Sequence, residues 1–436
     1  MSSITRRQFM IDGGKVAVGT SALAALLAAC GGGSSGSSTP QAQTLRYWAL
    51  GYQPNGANAT GKLTDAAVQA YMKSHKDITV KVTGYTGDNA GFTKVTQAVN
   101  GGSSVDVFRI PSDNLPLLVK QGSVQPIDDY LTADDKADIY PNLLDAVKIN
   151  GKAYAWPLWV PPVGMYLNLD IFKERGVPVP ADDWTYEQFV EIAQKLTFTR
   201  ANGQKVYGFT GMIDPGVVNT WPFIMGDGGV PLTPDNKKYA FDSPETITGL
   251  QKLVDLAQKY KVTPPDFGTQ AAEDISTGFS QHKNYAMYCA PSGDSSGYAA
   301  MNMNFTVKPM PMGKLGKHLT TGGIGLIAVA KSSNSDRIKA AMNMASYLTG
   351  NQVAKDVPKY YLAPGARKSI TVTDPINKFT PMVSYTYLMP LIAEWTQIRT
   401  LIHTHLQNAV LGKETPEQAL KAPANEINSI LADSQS

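Results

Sequence analysis

Cysteine is nearly missing from this chain of 436 residues: it has two, Cys30 and Cys289, and only five histidines. Cys30 lies in the N-terminal segment, so the folded body holds Cys289 alone and no internal disulfide can form. Cys289 sits in the apolar run 285–290 and reads as a buried small hydrophobe. No C-x-x-C or H-E-x-x-H spacing exists, and His403 and His405, two apart on a predicted helix, point to different faces, so no metal or other cofactor is expected. An excess of either charge is also lacking. Lys and Arg number 39 against 36 Asp and Glu, a formal net charge of +3, which leaves no electrostatic case for nucleic acid. Beyond residue 29 no apolar run approaches the roughly 20 residues that a spanning helix needs, and no internal repeat is evident.

What is present begins with an address. Thr5-Arg6-Arg7-Gln8-Phe9-Met10 places two arginines ahead of a weakly apolar stretch, residues 16–29, and resembles a twin-arginine export signal. The stretch ends in Leu27-Ala28-Ala29-Cys30, which resembles a bacterial lipobox. That resemblance implies a signal peptide over residues 1–29, with Cys30 as the lipidated new N-terminus on the extracytoplasmic face of a membrane. The tract after it is almost purely Gly and Ser up to Thr39 and cannot bury a core, so residues 30–42 read as anchor and flexible tether. Removing residues 1–29 of 436 leaves 407, a length suited to two domains.

Periodicity then predicts alternation. Residues 44–50, 78–83 and 105–108 read as strands, separated by helical spacing over 63–74 and 92–100. Residues 149–154 read as a hairpin. Helices are predicted over 169–175 and 185–196, the second opened by a capping-box pattern of Thr185 and Gln188. Strands over 206–210, 285–290 and 324–330 and a helix over 244–260 continue the pattern, and helices over 337–348, 383–411 and 416–431 close it. The expectation is an α/β protein of two lobes.

Several segments, in order, resemble family 1 extracellular solute-binding proteins, which include the maltose- and multiple-sugar-binding proteins of ABC importers. They are Ser104 to Phe108, Gly122 to Asp128, Gly151-Lys152-Ala153-Tyr154 through Asn168 to Phe172, Asp183 to Phe189, Asn219-Thr220-Trp221-Pro222, Phe279 to Met287, Gly322-Gly323-Ile324-Gly325 and Gly412 to Leu420. The resemblance implies a type II periplasmic-binding-protein-like fold, with a ligand cleft between lobes joined by several hinge crossings. Lobe 1 would take residues 43–162 and 326–370, and lobe 2 residues 163–325 and 371–436. It further implies a monomer that captures a small molecule, a sugar in the first instance, and delivers it to the transmembrane subunits of an ABC permease. A polyamine, a phosphodiester or an organic anion is the alternative cargo.

The same resemblance suggests site residues. Trp395 matches a position that stacks on sugar, with Arg399 one turn later on the same helical face. Trp221 matches a second cleft position, Asp113 a carboxylate that accepts sugar hydroxyls, and Gly323 lies in the glycine-rich crossing. Spacing adds Trp48, Tyr52, Arg109, Trp159, Ser292 and Asp294. Ile110 and Ser292 stand where sugar-binding relatives carry rings, so two stacking surfaces are absent.

Enzyme patterns are weak. Gly293-Asp294-Ser295-Ser296-Gly297 fits the G-x-S-x-G of a nucleophile elbow, but residues 298–305 carry no helical stripe where the elbow demands a helix. The tether's Gly32-Gly33-Ser34-Ser35-Gly36 fits the same pattern. Gly323 to Ala328 imitates a dinucleotide fingerprint, yet β-branched, strand-like residues follow. A lipid-anchored hydrolase is the outside alternative, and no enzymatic activity is expected.

Overall fold

The computed structural model describes residues 42–102 and 104–434. The Arg6-Arg7 pair, Cys30 and the Gly/Ser tract lie outside them.

A first sheet of five strands runs in the order Ile78–Tyr85, Gln43–Leu50, Val107–Pro111, Gly325–Val329, Ala155–Trp159. The first three are parallel, linked by crossover helices Ala59–Ser74 and Asn89–Asn100, whose first turns are capped by the side chains of Asn58 and Asp88. Gly325–Val329 is antiparallel to both of its neighbours. It begins 166 residues further along the chain than Trp159 and fills the gap between strands made earlier. Helix Ser335–Thr349 packs behind it and is tied to the sheet by Arg337, whose guanidinium donates to Asp106 at 2.5 and 2.7 Å.

A second sheet runs Phe305–Lys308, Val163–Asn168, Tyr285–Pro291, Lys205–Gly211, Phe198–Thr199. The capping box at Thr185 and Gln188 forms as predicted and opens helix Tyr186–Lys195 against this sheet. Asn168 caps helix Leu169–Arg175, and Gly176 ends it in the left-handed region at φ 65°, which only glycine adopts without cost.

Two main hydrophobic cores follow from the two sheets. One gathers residues from 45 to 160 and from 324 to 366, with Val383; the other gathers residues from 163 to 310 and from 389 to 431. A smaller, tyrosine-rich cluster around Tyr166, Phe279, Tyr288 and Tyr298 covers the remaining face of the second sheet. The chain passes between sheets at residues 160–162, at Gly323 and Ile324, and between Arg367 and Ile376. The architecture is thus the two-lobed α/β arrangement expected from the sequence. Among the described residues no helix is long and apolar enough to cross a membrane.

Three expected elements differ. Residues 383–411 are not one helix: a 3-10 stretch Ile376–Tyr385, a short strand Thr386–Leu388 paired with Thr320–Gly322, and helix Trp395–Val410 replace it. Residues 416–431 form two helices, Pro416–Lys421 and Ala424–Asp433, because Pro423 cannot donate the amide that a continuous helix requires. A helix, Asp294–Ala300, does follow the strand at residues 285–291, contrary to the expectation of none.

Candidate functional site

Strand ends from both lobes converge on one cavity of about 280 Å³. Pro111 and Trp159 close strands of the first sheet, Val163 and Pro291 belong to the second, and Gly322, Gly323 and Ile324 form a crossing between them. The loop after strand Lys205–Gly211 adds Gly216, Val217, Val218 and Asn219. Crevices at the carboxyl ends of sheet strands are where open α/β sheets hold ligands. Glycine is used for access here: at Gly323 an added Cβ would meet nothing within 4 Å.

Two charged residues line the cavity, one from each lobe. Asp113 follows the first sheet's third strand, and Arg399 projects from helix Trp395–Val410 of the second lobe. They meet at 3.2 Å, with 29% and 13% of their side chains exposed. The Nε of Arg399 is buried without an acceptor. The backbone beneath is held by His403, whose ring nitrogens lie 2.8 Å from the carbonyls of Arg399 and Val217. Burial holds this imidazole below its ordinary pKa, so the neutral ring donates to one carbonyl at a time.

Of the residues singled out from the sequence, Asp113, Trp159, Gly323 and Arg399 line the cavity. Trp159 does so without a free ring face. One face lies over Gly325, where an added Cβ would sit 2.0 to 2.2 Å from three ring atoms; Tyr361 stacks on the ring at 4.6 Å and 21°. Arg109 is 3% exposed and stands behind this pair rather than in the cavity. Ser292 is fully buried and its hydroxyl donates to the Leu362 carbonyl of the other lobe at 3.1 Å. Asp294, two residues on, has its carboxyl pushed up to about 6 by burial among tyrosines.

Trp221 and Trp395 are corrected by the structure. Neither has exposed surface to offer a ligand. Trp221 is packed between Phe241 at 4.7 Å and His403 at 5.4 Å, and Trp395 meets it edge-on at 6.0 Å, so both build the core under the cavity wall. Trp48 and Tyr52 are half-buried on the first lobe and outside the cavity; the indole donates to the Ser104 carbonyl and the phenol to Asp65. Ile110, noted for its missing ring, is fully buried in the first core.

Sequence reasoning missed Pro111, Ser112, Asn219, Pro291, Met389 and Tyr361. Pro111, Ser112 and Pro291 end or directly follow predicted strands, so the rule of carboxyl strand ends is enough to find them, whereas Asn219 lies further along its loop. Tyr361 carries no such signal, because it reaches Trp159 from a helix 202 residues later. The nucleophile-elbow pattern now has its strand and helix, yet Ser295 is fully buried and its hydroxyl donates to the Ser292 carbonyl at 2.6 Å. That burial, not a missing helix, removes it from reaction with a substrate.

Residues 66–379 match the family model of bacterial extracellular solute-binding proteins. A putative binding protein of Brucella abortus is 24% identical over 78% of this chain and 82% of its own length. The galactooligosaccharide-binding protein of Bacillus subtilis is 23% identical over 91% of this chain and 92% of its own. Among solved structures, the cyclic alpha-maltosyl-1,6-maltose binding protein of Arthrobacter globiformis superposes with a TM-score of 0.77 at 18% identity, over 90% of this chain and 99% of that one. Family match, shared fold and a cavity walled by both lobes agree: the chain belongs to the bacterial extracellular solute-binding proteins.

Proposed function

We propose that this protein is the substrate-binding component of an ABC importer and that it captures a sugar in the interlobe cavity for delivery to the permease. The observation that carries the reading is the meeting of Asp113 and Arg399 across the cavity, since a ligand held by one residue from each lobe favours the closed arrangement of both. A carboxylate and a guanidinium supply acceptors and donors for hydroxyls, and Pro111, Pro161, Pro291 and Val163 supply apolar surface for C–H faces. Relatives named for oligosaccharides support the same class. Export as a lipoprotein anchored through Cys30, with residues 30–42 as tether, belongs to this proposal. So do action as a monomer without a cofactor, the absence of catalysis, and the lobe boundaries at 43–162 with 326–370 and 163–325 with 371–436.

A second reading is favoured by one feature: among the described residues no aromatic ring offers the cavity an open face, since Trp159 is covered and Trp221 and Trp395 are enclosed. An organic anion held by Arg399 fits such a wall. A thermal-shift screen of neutral sugars, polyols, polyamines and organic anions separates the two, because a ligand that binds only the folded state raises its melting temperature. A rise with neutral sugars supports the first reading. A rise with anions alone keeps the binding role and rejects sugar.

A further inference from the structure

Arg109 is a buried cation with no carboxylate partner among the described residues. Its Nη1 donates to the Tyr361 hydroxyl, and its Nε is buried with no acceptor. The guanidinium carbon lies 4.6 Å from the Tyr361 ring centroid and 5.4 Å from that of Trp159. With the two stacked centroids only 4.6 Å apart, these distances set the cation beside the pair and close to both rings, and such attraction strengthens where water is excluded. Arg109 therefore clamps the stacked pair from the side, holding the Tyr361 hydroxyl while Trp159 also lies against Gly325.

The clamp holds more than a ring. Tyr361 ends the helix Val357–Tyr361, and the next residue, Leu362, is left-handed at φ 54° and ψ 37°, a conformation that a branched aliphatic side chain seldom adopts. The Leu362 carbonyl is the group that accepts the Ser292 hydroxyl of the second lobe. Ser292 itself directly follows Pro291, which lines the cavity as Trp159 does. From Leu362 the chain runs back along Trp159, where Val160 donates to the Pro364 carbonyl and Ala366 to that of Leu158. Cavity wall, clamp and lobe contact thus form one continuous unit.

We propose that Arg109 is a positioning residue that sets lobe closure: by fixing Tyr361 against Trp159 it places the Leu362 carbonyl where Ser292 of the other lobe meets it. Its link to ligand capture rests on reading the interlobe cavity as the ligand site. The test needs no ligand, so its failure stands apart from failure of that reading. Small-angle X-ray scattering of the full chain gives the radius of gyration for wild type, Arg109→Met, Ser292→Ala and the double variant, with thermal melts confirming that each is folded. The expected result is a larger radius in both single variants, with no further increase in the double, because both remove one and the same contact. Tyr361→Phe, which loses only the hydroxyl, shows the same direction and serves if Arg109→Met does not fold. Arg109→Lys keeps the cation and restores part of the closure. An unchanged radius in Ser292→Ala, or additive increases in the double variant, overturns the proposal.

Discussion

At the scale of single residues, the cavity is decided by its charged groups. Asp113 and Arg399 pair across it. Replacing Asp113 with Asn keeps the shape and removes the charge. A hydrogen bond to a charged group contributes about 1.5–3 kcal/mol, so calorimetry with the ligand found by screening is expected to show affinity about tenfold or more weaker. Unchanged affinity would remove the pair from the ligand site. Asp294 gives a pH prediction. Its carboxyl is raised from 3.8 to about 6 by burial, so the folded state holds this proton more tightly than the unfolded chain. Stability from this group is therefore full below the unfolded value and is lost as pH rises from about 4 through 6, by up to about 3 kcal/mol. Asp294→Asn cannot ionise, so its melting temperature relative to wild type is expected to rise across that window. A constant difference would show that Asp294 titrates normally.

At the scale of elements, the strands and the two-lobed pattern were legible because buried strands and amphipathic helices write their periods into the sequence. Residues 78–83 and 285–290 are continuous or alternating apolar runs, and the structure extends them by only one or two residues to Tyr85 and Pro291. Residues 383–411 were misread although Pro390 sits inside them, a breaker that outweighs apolar spacing on either side. Trp221 and Trp395 failed for another reason: nothing in a sequence says which side of a helix faces a cleft and which faces a core. The Trp159 stack was hidden too, since Tyr361 arrives from a distant helix and Gly325 from a strand across the sheet. That strand carries the next prediction. Gly325 pairs with Trp159 beside a register shift, and a Cβ there would intrude to about 2 Å from the ring. Gly325→Ala must displace Trp159. Overpacking of this kind costs about 1–3 kcal/mol, so chemical denaturation is expected to show that loss together with a change in tryptophan emission. A variant as stable as wild type, with unaltered emission, would mean that the ring is free to move.

At the scale of the whole molecule, neither lobe is a contiguous piece of chain. The first sheet needs Gly325–Val329 as an inner strand, between strands that end at Pro111 and Trp159, and its core is completed by helix Ser335–Thr349. The second core waits longer, for helices Trp395–Val410 and Ala424–Asp433. Contacts so distant in sequence must close long loops before they contribute, which makes folding slow and ties both lobes to completion of the chain. The body's single cysteine is buried, so neither lobe relies on a disulfide to complete it. The testable consequence is that a chain ending at Gly322 keeps neither lobe. It retains four of the five strands of the first sheet, but with the third and fifth left unpaired across the gap. Limited proteolysis is expected to degrade it throughout, while both lobes of the full chain resist. A resistant fragment spanning residues 43–160 would show instead that the first lobe folds without its returning strand, and the dependence of each lobe on the returning chain would then be a matter of stability alone.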